Sequence, residues 1–169
     1  MKTSEFKTDI FNLFDQKWAV LTADTPDRWN AMTISWGSMG TIWGYPQNGR
    51  PIVTVYVDPL RYTYEVLNQS DSFTVSFFPE ERRKDLIMMG SRSGRNGDRL
   101  KGSSLTPVNN HGFVTYKEAE LTFECRKLFQ QTLDKKNMPS EIADLFYSPD
   151  EEAHRMYIGE VMNILEGKK

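Results

Sequence analysis

The sequence has few of the residues that build metal centres and nucleophilic active sites. It contains one cysteine, Cys125, and two histidines, His111 and His154, which lie far apart in the chain. A zinc site needs three or four closely spaced Cys, His or carboxylate ligands, so we predict no metal site. Cys125 lies on the apolar side of an alternating strand, which indicates a buried packing residue rather than a nucleophile. Loop motifs of nucleotide-binding proteins and serine hydrolases are also missing, and we predict no catalytic side chain.

Long apolar runs and a strong excess of charge are missing too. No window approaches the ~18 uninterrupted apolar residues of a membrane span, and charges are scattered through the N-terminal segment where a signal peptide would have an apolar core. The net charge of -2 does not favour nucleic-acid binding. A lone cysteine excludes an internal disulfide and fits a reducing compartment. We therefore expect a cytoplasmic protein without nucleic-acid or membrane partners.

Short apolar stretches separated by turn residues predict a mainly β protein. We expect six to eight short strands and two or three short helices, without the regular strand–helix alternation of a parallel sheet. This pattern favours a mostly antiparallel barrel with helical insertions, in one domain spanning residues 1–169. Apolar residues at helical spacing indicate an N-terminal arm or helix over residues 1–16. Principal strands are predicted at 18–23, 51–57, 72–78, 119–125 and 154–165.

The segment from Asn30 to Gly44 has an unusual composition for a strand or a loop. It has no charged residue and combines Gly, Ser and Thr with Trp and Met. Glycines 37 and 40 would allow a flat ligand to approach the backbone closely. We predict that this segment lines a ligand site. The alternative is a strand with a solvated polar face, followed by a loop.

Strand alternation within this segment separates apolar from hydroxyl side chains. It would place Met32, Ile34 and Trp36 on one face, toward the core. The hydroxyls of Thr33 and Ser35 would then lie on the opposite face. We therefore expect Trp36 to be a packing residue, and the hydroxyl face to meet the ligand.

Two later segments have the chemistry of a phosphate site. Arg61 and Thr63 follow the buried strand at 51–57, at the start of a predicted helix. Arginine is the preferred bidentate partner of phosphate, and a helix N-terminus adds amide donors and a favourable dipole. The loop at 91–101 is the most basic window of the chain. The alternatives are a solvent-exposed arginine and a flexible, solvated loop.

These three segments resemble the flavin reductase-like family of FMN-binding split barrels. "NAMTISWGSMGTIWGYP" is similar to the family's N-x-M-T-[IV]-[SA]-W segment. "VYVDPLRYTYEVLNQSDSFTVSF" resembles its V-x-P-x-R-x-T segment, and "GSRSGRNGDRL" resembles its C-G-x-x-S-G-R-D-x-D-K-F segment. The likeness spans roughly residues 18–101, and "ELTFEC" and "HRMYIGEV" extend it. Met89 stands where many members have Cys, and Asn96-Gly97 departs from the family's loop pattern.

The resemblance implies a six-stranded antiparallel split barrel of Greek-key type with non-covalently bound FMN. It also implies a homodimer with the flavin near the subunit interface. The first segment would line the flavin ring, the second would address its phosphate or ribityl end, and the third would close the site. The implied cofactor-binding residues are Asn30, Ala31, Met32, Thr33, Ile34, Ser35, Ser38, Met39, Gly40, Arg61, Thr63, Ser93, Gly94 and Arg95.

The activity implied by the resemblance is an NAD(P)H-dependent FMN oxidoreductase. NADH or NADPH would donate a hydride to FMN, and a partner monooxygenase or another acceptor would receive the electrons. Such chemistry needs no acid or base side chain, because the cofactor carries it. One alternative is a flavoredoxin-like electron carrier that holds FMN without efficient NAD(P)H turnover. Another is a barrel that binds a different ligand or a partner protein.

Overall fold

The computed structural model describes residues 1–44, 46–91, 94–96 and 100–167. A π-helix over Asn12–Lys17 and a strand over Ala19–Asp24 follow the N-terminal residues. The three α-helices of the described chain are α1 (Tyr62–Gln69), α2 (Arg83–Ser91) and α3 (Ser140–Phe146). Its nine strands are β1 (Ala19–Asp24), β2 (Trp29–Ile34), β3 (Gly37–Ile42), β4 (Arg50–Val57), β5 (Ser72–Phe77), β6 (Pro107–Asn110), β7 (Phe113–Tyr116), β8 (Leu121–Thr132) and β9 (Arg155–Glu166).

The strands form one large antiparallel sheet and one small hairpin. Seven strands pair in the order β2-β1-β5-β8-β9-β4-β3, and β6 pairs with β7. The mainly β, antiparallel class is therefore as predicted. The six strands implied by the resemblance are not confirmed, because the large sheet of the described chain has seven strands and the hairpin adds two. The pairing also does not close into a barrel, since β2 and β3 are the two ends of the strand order.

The two end strands of the large sheet are joined by a very short connection. Only Ser35 and Trp36 separate the end of β2 at Ile34 from the start of β3 at Gly37. Three Cα–Cα steps of about 3.8 Å keep these two points within about 11 Å of each other. The sheet must therefore curl until its opposite edges meet at one corner. The segment singled out in the sequence forms that corner.

Two apolar clusters lie on the two faces of the curled sheet. The larger one fills the inside with alternate residues of the strands, among them Leu21, Val55 and Phe73, all fully buried. The smaller one lies between the outer face, α2 and the β6–β7 hairpin. Cys125 is buried in the larger cluster, which confirms it as a packing residue. Burial raises the pKa of its thiol well above the usual range, so the thiolate does not form.

Helix α1 is held against the sheet at its C-terminal end. The Lys127 ammonium donates to the carbonyl oxygens of Leu67 at 2.7 Å and Asn68 at 3.2 Å. A cation at this position satisfies the last carbonyls of the helix and complements its dipole. The Asn68 side-chain oxygen accepts from Tyr157 Oη at 2.7 Å and from Arg155 at 3.0 Å. These contacts fix the helix whose first turn carries Thr63.

Candidate functional site

The three segments of the sequence motif meet around the first turn of α1. Asn30 Nδ2 donates to Thr63 Oγ1 at 2.6 Å, and both residues are buried. A Cβ atom on Gly94 would lie 2.3 Å from Asn30 Oδ1 and 2.8 Å from Tyr62 Cδ1. Only glycine therefore allows the third segment to approach this closely. We call Asn30, Tyr62, Thr63 and Gly94 the junction.

Arg95 extends the junction along the surface of α1. Its guanidinium donates to the Leu60 carbonyl at 2.9 Å and to the Glu65 carboxylate. The same group lies 5.8 Å from the centroid of the Tyr62 ring. Arg95 thus ties the third segment to the second, and its role in closing a cofactor site stays a prediction. Ser93, which was assigned to the same segment, lies outside the described residues.

The side chains of β2 are used mainly for packing. Met32 and Ile34 lie in the larger core cluster, as alternation predicted. Ala31 packs in the smaller cluster beneath α2. The Thr33 hydroxyl, which the sequence assigned to the ligand face, donates to the Leu86 carbonyl of α2 at 2.6 Å. Its assignment to an open hydroxyl face was wrong, because α2 covers that side of β2.

Trp36 departs from the alternation of β2. The strand ends at Ile34, and the Trp36 side chain is 41% exposed instead of joining the core. Its ring packs edge-on against Phe146 at a centroid distance of 5.5 Å and stacks on His154 at 4.6 Å. Trp36 therefore contacts residues of α3 and of the segment before β9, and it lines the cleft described below. The predicted grouping with Met32 and Ile34 was wrong.

A cleft of about 780 Å³ opens beside the connection between β2 and β3. Its walls come from the N-terminal arm, the start of β3 and the region around α3. Three predicted site residues line it: Ser35, Ser38 and Met39. The volume lies within the range of small-molecule sites. Gly40 and Met39 border a separate groove on the other part of β3.

Gly37 allows the N-terminal arm to form one wall of the cleft. A Cβ atom at position 37 would lie 2.2 Å from Cε1 of Phe14. Phe14 is buried and packs edge-on against Phe77 in the core at 5.4 Å. Its ring is therefore held in place against the start of β3. The sequence predicted that Gly37 would allow a ligand to approach closely. In the structure the Phe14 ring makes this close approach.

His154 links the cleft to Arg61. Its Nδ1 lies 3.1 Å from the Tyr147 hydroxyl. Burial lowers the pKa of His154, and the nearby charges of Asp58 and Arg61 act on it with opposite signs. The Arg61 side chain is half-exposed, with Nε 3.9 Å from an Asp58 carboxylate oxygen. Arg61 is therefore an accessible cation whose charge acts on His154, and His154 contacts the cleft residues Trp36 and Tyr147.

Two features at or beside the cleft were missed by reasoning from the sequence: His154, which contacts the cleft residues Trp36 and Tyr147, and the wall around α3. His154 was treated as an ordinary residue, although "HRMYIGEV" was part of the family resemblance. The wall around α3 was predicted only as a short helix. Ile142 and Phe146, both cleft residues, are spaced i,i+4 along it, which places them on one face. That apolar pair was the available signal.

A match to a family model decides the family of the chain. The model of the flavin reductase like domain matches residues 11–169. The chain belongs to this family. The match extends the resemblance from the three motifs to nearly the whole chain, including the α3 region and β9. No curated protein sequence matches the chain.

Solved structures show the same fold as this flavin reductase-like chain. Flavoredoxin from Methanosarcina acetivorans is 22% identical with a TM-score of 0.64, over 90% of this chain and 69% of that one. An FMN-binding protein from Thermus thermophilus with bound p-hydroxybenzaldehyde is 20% identical, with a TM-score of 0.68 and coverage of 99% and 81%. The styrene monooxygenase flavin reductase from Pseudomonas putida S12 is 21% identical, with a TM-score of 0.61 and coverage of 89% and 79%.

The described residues contain neither a candidate metal cluster nor a candidate membrane-spanning helix. No three His, Cys, Asp or Glu side chains among them are grouped so that they could hold a metal ion. No helix in the same part of the chain is long and apolar enough to span a membrane.

Proposed function

We propose that this protein is an FMN-binding oxidoreductase that accepts a hydride from NADH or NADPH. The observation that carries the proposal is the cleft beside β3, one wall of which is a glycine- and serine-rich end strand. Membership of the flavin reductase-like family and the contact between the three motif segments support it. We also propose that the curled sheet is a split barrel.

The residues of the cleft fit a flat flavin ring. β3 ends the strand order, so no strand of the described chain pairs with its outer edge, and backbone N–H and C=O groups there can meet ring nitrogens and oxygens. Ser35 and Ser38 add hydroxyl groups, and Met39 and Trp36 add apolar surface. These residues would hold the ring. Ala31, Met32 and Ile34 support it from within the sheet.

Arg61 fits the phosphate end of FMN. Its side chain is half-exposed and its contact with Asp58, at 3.9 Å, is long for an ion pair. An arginine so placed can make charge-assisted hydrogen bonds to phosphate oxygens. The junction holds the first turn of α1, and thus Arg61, in a fixed position. Arg95 and Ser93 would close the site from the third segment.

Bound FMN would supply the hydride chemistry at its N5 atom. The chain's own residues would bind and orient the ring, and the apolar walls would exclude water from it. We propose a homodimer with the flavin near the interface, and a partner monooxygenase or another acceptor for the electrons. We place the protein in the cytoplasm. Electron carriage without efficient NAD(P)H turnover is the second candidate, since the chain has the fold of a flavoredoxin.

The absorption spectrum of protein purified without added flavin tests the proposal first. Bound FMN would give a band near ~450 nm, a property of the cofactor. Oxidation of NADH and NADPH is then followed with added FMN. Turnover with either nucleotide supports the oxidoreductase, and flavin binding without turnover supports the carrier. Protein that neither retains nor binds FMN would refute both.

Replacement of Arg61 tests the placement of the phosphate. We expect Arg61→Ala to weaken FMN binding by about ten-fold or more, because one charge-assisted contact is worth roughly 1.5–3 kcal/mol. The dissociation constant is measured by quenching of flavin fluorescence. Arg126→Ala is the control, since Arg126 is a similarly exposed arginine paired with Glu160 on the sheet. Equal effects of the two variants would remove Arg61 from the site.

A further inference from the structure

Helix α3 presents its large apolar side chains to solvent rather than to the core. Ile142, Leu145 and Phe146 are spaced i, i+3 and i+4, which places them along one stripe of the helix. They are 45%, 75% and 51% exposed, and every residue of the helix is at least partly exposed. A helix on a protein surface normally buries such a stripe against the core. We call these three residues the α3 stripe.

The segment that carries the α3 stripe is held in a defined conformation. The Lys135 ammonium, before the helix, donates to three backbone carbonyl oxygens after it: Ser148 at 3.1 Å, Pro149 at 2.8 Å and Glu151 at 2.7 Å. These bonds join the two ends of the segment around α3. The exposed stripe is therefore a fixed surface of the protein.

The α3 stripe continues across the cleft to the N-terminal arm. Phe146 packs edge-on against Trp36, and both line the cleft together with Ile142 and Phe11. Phe11 is 88% exposed. Exposed apolar surface that is contiguous in this way marks a site of interaction with a partner.

Negative charge borders the α3 stripe. The sequence from residue 137 to residue 154 contains five carboxylates and neither Lys nor Arg, although the net charge of the whole chain is only -2. The five are Glu141, Asp144, Asp150, Glu151 and Glu152. Among the described residues, none of them forms an ion pair with a cation. Asp144 and Glu151 line a groove together with Leu145 and Phe146, so carboxylates lie directly beside the stripe.

This combination of charge and apolar surface selects among the possible occupants. A partner surface that is apolar and basic complements it, and an acidic surface is repelled. An anionic membrane would be repelled for the same reason. A second copy with its own α3 segment facing this one would bring two sets of unpaired carboxylates together. A basic protein partner therefore fits best.

We propose that the α3 stripe and the carboxylates beside it dock a partner protein, through a segment with basic residues around an apolar face. The apolar side chains of that segment cover the stripe, and its Lys or Arg side chains pair with the carboxylates. Because Phe146 contacts Trp36, the docked partner lies beside the cleft. Its identification as the electron acceptor rests on the proposed function, whereas docking does not.

Fluorescence anisotropy with two labelled peptides tests the charge complementarity. One is an amphipathic helical peptide of leucine and lysine, and the other has glutamate in place of every lysine. We expect the lysine peptide to bind the flavin-free full chain at least ten-fold more tightly than the glutamate peptide, and added salt to weaken its binding. Equal binding of the two peptides, or no binding of the lysine peptide, would overturn the proposal.

Two helix variants test the location. Leu145→Ala should weaken binding of the lysine peptide about five- to ten-fold, because it removes apolar area that the peptide covers. Ile87→Ala is the matched control, since Ile87 is 54% exposed on α2, which packs on the outer face of the sheet. Thermal unfolding checks that both variants remain folded. Equal binding by the two variants would place the peptide elsewhere and overturn the proposal.

A pair of double variants tests the carboxylates. Glu141→Gln with Asp144→Asn should weaken binding of the lysine peptide about three-fold, a modest effect because exposed ion pairs are weak. Glu80→Gln with Glu81→Gln, at the exposed start of the α2 region, is the control and should leave binding unchanged. Equal effects of the two double variants would refute pairing with the α3 carboxylates.

The other occupants and the proposed function are separated by further measurements. A change of oligomeric state in Leu145→Ala, measured by light scattering, would assign the stripe to a second copy and overturn the proposal. FMN binding and NAD(P)H oxidation are measured independently of the peptides. Peptide binding by protein that never binds FMN would refute the proposed function and leave the docking surface. Turnover without peptide binding would do the reverse.

Discussion

The junction and the cleft are built from the same stretch of sequence but have opposite physical character. At the junction Asn30 and Thr63 are buried and hydrogen-bonded to each other. In the cleft Ser38 is exposed and Trp36 is 41% exposed. The boundary between the two is the connection at residues 35–36. Residues before it pack within the sheet, and residues after it line the cleft.

This difference shows that the residues of a family motif can have two different roles. A motif residue can be needed because it touches a ligand or because it holds the elements that do. Asn30 belongs to the second kind in this structure, since its amide fixes the first turn of α1. Ser38 belongs to the first kind in our proposal. Substitutions on the two sides of the boundary should therefore affect stability and FMN binding differently.

The largest effect is expected where the arm meets β3. Gly37→Ala would place a Cβ atom 2.2 Å from the Phe14 ring, which is itself buried. Such overpacking costs roughly 1–3 kcal/mol of the free energy of unfolding. Gly40→Ala is the control in the same strand, because nothing lies within 4 Å of its Cβ position. Denaturant unfolding measures both, and similar stabilities would show that Phe14 moves freely.

Loss of the junction hydrogen bond should give the next effect. Asn30→Ala leaves the buried Thr63 hydroxyl without its donor, and we expect a loss of about 1–2 kcal/mol in the free energy of unfolding. Ser38→Ala, on the cleft side, should change stability by less than about 0.5 kcal/mol. Chemical denaturation of the two variants in parallel gives the comparison. A stable Asn30→Ala protein would contradict the structural role of the junction.

The smallest effect concerns the titration of His154. Burial lowers the pKa of this imidazole below its ordinary value of 6.5, although Asp58 and Glu151 oppose the shift. As the pH falls below about 6.5, the unfolded chain binds the proton first, so His154 reduces stability on acidification. At pH 7 and above this loss of stability is absent, because His154 is neutral in both the folded and the unfolded chain. The Tyr147 hydroxyl contacts the ring at Nδ1, and the charge of Arg61 also acts to lower the pKa of His154.

Proton NMR of the two histidines checks this expectation. The His154 resonance is the one that is missing from the spectrum of the His154→Gln variant. In the parent protein this resonance should titrate with a midpoint below pH 6.5. The variant should also lose a small part of the decrease in stability between neutral and mildly acidic pH. A midpoint above 6.5 would indicate that Asp58 and Glu151 outweigh burial.

Much of the fold could be predicted from local sequence patterns. The strand predicted at 72–78 is β5, and its alternate residues Phe73, Val75 and Phe77 are all buried in the core. Alternation also gave the inward position of Cys125. β3 was missed because its glycine- and serine-rich sequence has little strand propensity. Pairing with β4 makes it a strand, which is a tertiary effect that no local pattern contains.

The proximity of the three motif segments could be predicted from the sequence, whereas the role of their residues toward a cofactor stays a prediction. The motif order brought Asn30, Thr63, Gly94 and Arg95 into one list, and the structure brings them together around Tyr62. The covering of Thr33 by α2 was not predictable, because it depends on where a distant helix packs. The α3 wall was missed for the same reason.

The short connection between β2 and β3 also has a consequence for the order of folding. These neighbours in sequence do not pair with each other; β2 pairs with β1, and β3 pairs with β4. The corner is complete only when the two halves of the sheet are joined through the pairs β1–β5, β5–β8, β8–β9 and β4–β9. Such pairings are distant in sequence and carry a large loop-closure entropy. The corner that carries the proposed ligand surface is therefore expected to be among the last parts of the sheet to form. A formed corner would thus indicate that the rest of the sheet has already folded.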